Sequence, residues 1–96
     1  MKLSLGGLNF DSKRDAKLYA QNLLHSHSVG EILPSKYNNF FRDMLLMRGD
    51  AGREKIGSGI KYVKIGKNKS FHGKCFVIYR TNNTEIILSY RKCFMN

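Results

Sequence analysis

The chain has 96 residues, of which 42% are hydrophobic and one is proline, and it carries a formal net charge of +10. This composition argues against intrinsic disorder, and no window reaches the apolar length that a membrane span requires. Residues 1–10 lack the apolar core of an export signal. We therefore expect one domain, residues 1–96, located in the cytoplasm without membrane contact.

The positive charge is concentrated in the second half of the chain. Residues 1–52 contain seven basic and five acidic residues, whereas residues 53–96 contain ten basic and two acidic residues. The two parts therefore have net charges of +2 and +8. Charge needed only for solubility has no reason to cluster in this way. The distribution predicts a polyanionic partner, of which nucleic acid is the commonest.

The N-terminal quarter is predicted to form a short hairpin followed by a helix. Strands Lys2–Leu5 and Leu8–Phe10 are joined by Gly6-Gly7. Ser12 is a candidate N-cap for a helix from Lys13 to His25, because a Ser hydroxyl accepts a hydrogen bond from the first helical turn. Apolar residues recur there at helical spacing, at Ala16, Tyr19, Ala20, Leu23 and Leu24.

A second helix is predicted over Lys36–Arg48. It follows a loop, Ser26–Ser35, whose Val29, Ile32 and Leu33 are expected to lie against the core. The helix is expected to end at Gly49-Asp50-Ala51-Gly52, and Arg53-Glu54-Lys55 then leads into a sheet. Its apolar stripe contains Tyr37, Phe40, Phe41, Met44 and Leu45.

Three strands are predicted in the remaining part, over Gly59–Gly66, Phe71–Thr81 and Thr84–Phe94. Their connections, Lys67-Asn68-Lys69-Ser70 and Asn82-Asn83, have the length and composition of hairpin turns. Helices followed by strands indicate an α+β fold. We expect two helices packed on one face of a three- to four-stranded antiparallel meander sheet.

The alternation of side chains along these strands predicts a basic and aromatic open face. If the mixed polar and apolar sets face outward together, this face contains Tyr62, Lys64, His72, Lys74, Phe76, Arg80 and Arg91. Aromatic rings stack on bases and cations bind phosphates, which suits single-stranded nucleic acid. The sequence leaves open whether Phe76 and Ile78 are exposed or lie beneath the N-terminal segment.

Further cations near the sheet edges would extend a phosphate track. The complete set of predicted nucleic-acid-binding residues is Lys55, Lys61, Tyr62, Lys64, His72, Lys74, Phe76, Arg80, Arg91 and Lys92. A nuclease that uses His72 with Lys74 or Arg91 is chemically sensible. A single His on a strand is usually structural, however, so we expect a binding protein and not an enzyme.

The remaining candidate sites are weak. Cys75 and Cys93 do not form a zinc motif, and the absence of an export signal favours free thiols over a disulfide. The three histidines lack neighbouring ligands, so neither a metal nor another cofactor is predicted. Gly57-Ser58-Gly59 is either an anion cradle or a bend at the strand entry, and the absence of P-loop spacing favours the bend.

Several short segments together resemble one family. They are Phe10, Ser12-Lys13, Ala16-Lys17, Gly30, Ile32, Lys55-Ile56-Gly57-Ser58-Gly59-Ile60, Lys74-Cys75-Phe76, Arg80 and Ser89-Tyr90-Arg91-Lys92-Cys93. This set is similar to the DCL domain, named after the plant "defective chloroplasts and leaves" proteins and also found in uncharacterised bacterial and phage proteins. The chain departs from the family pattern at Met47-Arg48-Gly49-Asp50 and at Leu88.

The resemblance implies RNA as the partner and no established catalytic residue, because the plant members are associated with plastid ribosomal RNA maturation and RNA-directed transcription. We therefore expect a small RNA-binding module, with RNA favoured over DNA. The alternative is a protein-interaction module, such as a phage accessory or inhibitor protein, whose basic surface binds an acidic protein. The sequence predicts no oligomeric state.

Overall fold

The computed structural model describes residues 2–68, 73–88 and 90–94, except for the side chains of Asn68 and Lys92. Its elements are β1 (Leu3–Leu5), β2 (Leu8–Phe10), α1 (Lys13–His25), a 3-10 turn (Ser35–Tyr37), α2 (Asn38–Leu46), α3 (Asp50–Ile56), β3 (Ile60–Asn68), β4 (Gly73–Arg80), β5 (Glu85–Leu88) and α4 (Tyr90–Cys93). Strands β1 and β2 form one antiparallel sheet, and β3, β4 and β5 form a second in the order β3-β4-β5. The predicted α+β fold is confirmed. Residues 69–71, in the predicted first turn and at the start of the middle strand, lie outside the described residues.

The N-terminal hairpin is held on α2 through its turn. Gly6 and Gly7 have φ angles of +58° and +83°, which suit the tight turn that the sequence predicts. The Gly6 N–H donates a hydrogen bond to Asp43 Oδ2 over 2.7 Å. A Cβ atom on Gly6 would lie 2.4 Å from the Phe40 backbone nitrogen. The hairpin therefore approaches α2 more closely than a residue with a side chain would allow.

Helix α1 begins and packs as its sequence predicts. The Asp15 N–H donates to Ser12 Oγ over 3.2 Å, so the predicted N-cap is confirmed. The helix buries one stripe, consisting of Ala16, Ala20, Leu23 and Leu24. The ring of Phe10 lies 5.4 Å from that of Tyr19, which joins the hairpin to the helix.

A chain of aromatic rings connects the helices to the sheet. The second predicted helix begins as a 3-10 turn and becomes α-helical at Asn38. Its Phe40 and Phe41 rings are 5.3 Å apart, and Phe41 lies 4.7 Å from Phe76 of β4. All three side chains are at most 1% exposed. The core therefore lies between the helices and one face of the sheet.

Helix α3 replaces a predicted loop. The sequence Gly49-Asp50-Ala51-Gly52 predicts the end of a helix followed by a loop. In the structure, however, Asp50–Ile56 is helical, and Gly52 is buried within this helix. A Cβ on Gly52 would lie 1.7 Å from the Leu45 carbonyl oxygen, so glycine permits the close approach of α2 and α3. Glycine here serves packing and does not break the helix, which the local sequence cannot reveal.

The third predicted strand ends early. Its prediction to Phe94 is wrong, because β5 ends at Leu88 and Tyr90–Cys93 forms α4. One helical turn brings Tyr90 and Cys93 to the same side, where both are buried. The Tyr90 ring lies 6.0 Å from that of Phe76. In sequence, Tyr90 continues the apolar alternation of β5. In the structure, it reaches the core from the helical turn of α4.

As predicted, Cys75 and Cys93 form no disulfide, and both thiols are buried. Burial raises the pKa of the Cys93 thiol from 9.0 to about 11, although the nearby positive charges of Arg48 and Lys55 oppose this effect. Burial also raises the pKa of Cys75. Both groups are therefore neutral thiols at physiological pH and make poor nucleophiles.

Candidate nucleic-acid interface

The pairing register assigns the sheet residues to two faces. Ile65 lies opposite Phe76, and Phe76 lies opposite Leu88, so these three share a face. Val63 and Ile78 form the neighbouring pair on the same side. These five residues define the covered face, and each is at most 1% exposed. The covered face is the one against which α1 and α2 pack.

The predicted orientation of β4 is wrong. Phe76 is 0% exposed, and Lys74 and Arg80 share its side of the strand because side chains alternate. In addition, Tyr62 pairs with Tyr79 after an irregularity between Ile60 and Tyr62. The predicted combination of Tyr62 with Lys74, Phe76 and Arg80 on one face therefore does not occur.

Lys74 lies at the C-terminus of α1. Its Nζ donates to the His27 carbonyl oxygen over 2.6 Å and to that of His25 over 3.5 Å. Carbonyl groups at a helix C-terminus lack intrahelical partners and carry partial negative charge, so a cation is favourable there. Lys74 therefore connects the sheet to the end of α1.

Arg80 has the same relation to α3. Its Nη1 donates to the carbonyl oxygens of Glu54 and Lys55 over 3.3 and 3.4 Å, in the last turn of that helix. Its Nε donates to Thr84 Oγ1 over 2.8 Å. Lys74 and Arg80 are therefore both engaged by backbone carbonyl groups at helix ends.

We expect Lys74→Met and Arg80→Met each to lower the free energy of unfolding by about 1 kcal/mol, because helix-end carbonyls lose a charged donor. Methionine keeps much of the side-chain length and flexibility. Urea denaturation measures the change, and a nucleic-acid titration in parallel should show a small effect. Unchanged stability together with lost binding would indicate that Lys74 and Arg80 bind nucleic acid on a basic face, as the sequence predicts.

The opposite side of the sheet, here called the open face, has a different composition from the predicted one. It contains Tyr62, Lys64, Gly66, Cys75, Val77, Tyr79, Glu85 and Ile87. The Tyr62 and Tyr79 rings are stacked, with centroids 4.5 Å apart and planes inclined by 20°. Ile87 is 50% exposed. The open face is thus aromatic and aliphatic, with one cation and one anion.

Tyr79 and Glu85 form a cross-strand pair on the open face. Hydrogen bonding with the Glu85 carboxylate raises the pKa of the Tyr79 phenol, with smaller contributions from desolvation and nearby charge. The Glu85 carboxylate offers hydrogen-bond acceptors only and lies beside the stacked rings.

Part of the predicted loop extends this sheet beyond β3. The N–H groups of Gly30 and Leu33 donate to the carbonyl oxygens of Ile65 and Val63 over 2.7 and 2.8 Å. Ile32 pairs with Lys64, which places Ile32 beside the open face, and it is 54% exposed. The prediction that this segment contacts the core holds for Leu33 and is wrong for Ile32 and Val29.

A groove of about 410 Å³ runs across the open face. It is lined by Lys64, Gly66, Val77, Tyr79, Glu85, Ile86 and Ile87. A Cβ on Gly66 would lie 2.7 Å from Val77 Cγ2, so a side chain at this position would collide with Val77. The groove offers an aromatic ring, an aliphatic floor, a cation and a carboxylate.

The other predicted site residues lie apart from the groove or outside the description. Lys61 is exposed at the irregularity in β3, and Arg91 is exposed on α4 with its guanidinium 5.9 Å from the Tyr90 ring. Lys55 is half-buried in α3. His72 and the side chain of Lys92 lie outside the described residues. Of the ten predicted residues, the structure places Tyr62 and Lys64 on the open face.

The sequence reasoning missed Tyr79, Glu85 and Ile87. A usable signal existed for Tyr79, because alternation that buries Ile78 directs Tyr79 to the other face. The prediction instead grouped residues by charge. Lys74 and Arg80 were assumed to mark the solvent side, whereas both lie near the ends of β4 and reach helix ends.

The glycines before β3 form a bend, as predicted. Gly57 and Gly59 have φ angles of +56° and +127°. Their N–H groups donate to the carbonyl oxygens of Arg53 and Ile56, both over 3.0 Å, and so are occupied within the chain.

Among residues 2–68, 73–88 and 90–94, no group of three potential metal ligands is present. In the same part of the chain, no helix is long and apolar enough to cross a membrane.

Comparison with known proteins gives a family match, a similar sequence and a similar structure. A family model described as "Protein of unknown function (DUF3223)" matches residues 21–94. Over 85 residues, the chain is 31% identical to DNA-directed RNA polymerase IV subunit 1 of Arabidopsis thaliana; the match includes 85% of this chain and 6% of that subunit. A solution NMR structure of an uncharacterised Rhodospirillum rubrum protein has a TM-score of 0.81 and 28% identity, covering 95% of this chain and 86% of that one.

Proposed function

The chain belongs to the family described as protein of unknown function DUF3223, and from that premise we propose that it binds single-stranded nucleic acid, with RNA favoured, and catalyses no reaction. The finer assignment to the DCL domain is part of this proposal. RNA is favoured because the DCL resemblance implies it and because one similar sequence lies within an RNA polymerase subunit.

The stacked pair of Tyr62 and Tyr79 on the solvent-accessible open face carries the proposal. A base that stacks on an aromatic ring gains about 1–3 kcal/mol, and every base has such a face. Lys64 lies two residue pairs away, at the next position on the same face, and lines the groove that Tyr79 also lines. The arrangement supplies stacking and a cation on the same surface, as binding to a single strand requires.

The distribution of charge supports a polyanionic partner. Residues 53–96 retain a large positive excess after Lys74 and Arg80 are assigned to helix ends. Exposed cations among the described residues of this part are Arg53, Lys61, Lys67 and Arg91. Such charges attract nucleic acid at long range, and the affinity should fall steeply as salt concentration rises.

A protein partner is the second candidate, favoured by a specific observation. Ile32 and Ile87 are each at least 50% exposed and lie in the same cross-strand row as Lys64. Exposed aliphatic side chains around a cation suit an acidic protein surface with apolar contacts. This candidate predicts tight binding to a protein that persists after nuclease treatment.

Charge reversal at Lys64 compared with charge reversal at Arg14 tests the leading proposal. Lys64→Glu and Arg14→Glu each lower the net charge by the same amount, but Arg14 is exposed on α1, the helix that packs against the covered face. Binding to a short labelled single-stranded RNA is measured by fluorescence anisotropy. Lys64→Glu should weaken it by about tenfold and reduce the salt slope by about one, as loss of a phosphate contact does.

Arg14→Glu should change the affinity by less than about threefold. This variant changes only the long-range attraction between the protein and the RNA, which salt screens. Circular dichroism establishes that both variants are folded. Equal losses in the two variants would reduce the proposal to non-specific charge. An unmodified protein that fails to bind RNA at low salt would reject it.

A further inference from the structure

We propose that the groove on the open face selects bases that carry an exocyclic amino group, so that cytosine and adenine bind better than uracil. This inference rests on the proposed function and adds the chemical preference of the same site. The residue that supplies the preference is Glu85, which the sequence analysis did not identify. The groove occupant is one unpaired base of a single strand.

Glu85 lines the groove as a hydrogen-bond acceptor. A carboxylate offers acceptors only, and this one lies beside Tyr79, its cross-strand partner. Cytosine and adenine present amino groups that donate hydrogen bonds, and acidic side chains accept from such groups in base recognition. Uracil has no amino group, and the single N–H donor at its pairing edge is flanked by two carbonyl oxygens that face a carboxylate unfavourably. Glu85 therefore favours amino-bearing bases.

The groove also has a size and lining that suit a single base. Its volume of about 410 Å³ lies in the lower part of the range for small-ligand sites. Tyr79 supplies a ring, while Val77 and Ile87 supply an aliphatic surface, so a flat base has apolar contact on its faces. Lys64 lines the same groove and has a complementary charge for the adjoining phosphate.

The Tyr79 hydroxyl is a positioning group for Glu85. Tyr79 is the cross-strand partner of Glu85, and interaction of its hydroxyl with the carboxylate raises the pKa of the phenol, whereas the ring alone is enough for stacking. Tyr79→Phe should therefore keep most of the affinity for RNA and weaken the preference between bases. A purely structural role of the hydroxyl would change the affinity for all bases equally.

The test uses homopolymeric RNA oligonucleotides of cytidine, adenosine and uridine of equal length, titrated into the unmodified chain by fluorescence anisotropy. We expect the cytidine and adenosine strands to bind about tenfold more tightly than the uridine strand, the low end of what one good base contact supplies. Glu85→Gln should reduce this ratio below about threefold without weakening uridine binding, because an amide also donates hydrogen bonds.

Glu54→Gln is the matched control, since it removes the same charge from an exposed position on α3 and should keep the preference. Equal affinity of the unmodified chain for all three strands would overturn the base preference while leaving the proposed function in place. A preference that persists in Glu85→Gln would also overturn it. Absence of binding to every strand would overturn the proposed function itself.

Discussion

Phe76→Ala is expected to lower the free energy of unfolding by about 3–5 kcal/mol, the range for truncating a fully buried aromatic side chain. Phe76 is 0% exposed, and its ring lies 4.7 Å from that of Phe41 and 6.0 Å from that of Tyr90. A domain of this size has a total stability of about 5–15 kcal/mol, so the variant would be marginal. Urea denaturation followed by circular dichroism measures the change.

Tyr62→Ala is the appropriate control for this measurement, because Tyr62 is an aromatic residue on the opposite face of the same sheet. We expect it to cost about 1–2 kcal/mol, mainly through the lost ring contact with Tyr79. If Phe76→Ala were as stable as the unmodified chain and failed to bind RNA, the assignment of the two faces would be reversed.

The double substitution of Tyr62 and Tyr79 by Ala should weaken binding to single-stranded RNA by about a hundredfold. Each lost base stack is worth about 1–3 kcal/mol, and both platforms are removed together. The rings are stacked on each other in the structure, so either can present its outer surface to a base. Fluorescence anisotropy with a short RNA of mixed sequence measures the loss.

The double substitution by Phe provides the comparison, because it keeps both rings and removes both hydroxyl groups. It should retain the affinity for mixed-sequence RNA within about threefold, since stacking needs the ring and not the hydroxyl. Urea denaturation of both double variants separates lost binding from lost folding. A folded double Ala variant that binds like the unmodified chain would exclude the tyrosines as the stacking platform.

Local signals in the sequence predicted the local structure well. The Ser12 cap, the Gly6-Gly7 turn and the turn at Asn82-Asn83 all depend on neighbouring residues, and each is present in the structure. Asn83 has a φ angle of +65°, a conformation that Asn tolerates better than most residues. Such features can be predicted because their causes lie within a few residues.

The faces of the sheet could not be predicted as reliably, because their assignment depends on distant contacts. Lys74 reaches carbonyl groups 47 and 49 residues away, and Arg80 reaches others 25 and 26 residues away. In sequence, both cations look like solvent-facing residues of a strand. Only the packing of α1 and α3 shows that the charges complete helix ends.

Two further differences have the same kind of cause. Gly52 is read locally as a helix terminator, yet a close approach to Leu45 makes glycine necessary within α3. Tyr90 continues the apolar alternation of β5, yet it reaches the Phe76 ring from a helical turn. In both positions tertiary packing outweighs the local preference. The candidate site also differs from the predicted one: it is an aromatic groove and not a basic face, because the covered face includes Phe76.

The claim that RNA binds on the open face can be tested most directly by amide chemical-shift mapping of the ¹⁵N-labelled chain during titration with a short single-stranded RNA. We predict the largest changes at Lys64, Val77 and Ile87, which share one cross-strand row. The exposed surface of α1 should change little. Changes confined to the helices, or no changes at low salt, would contradict the account.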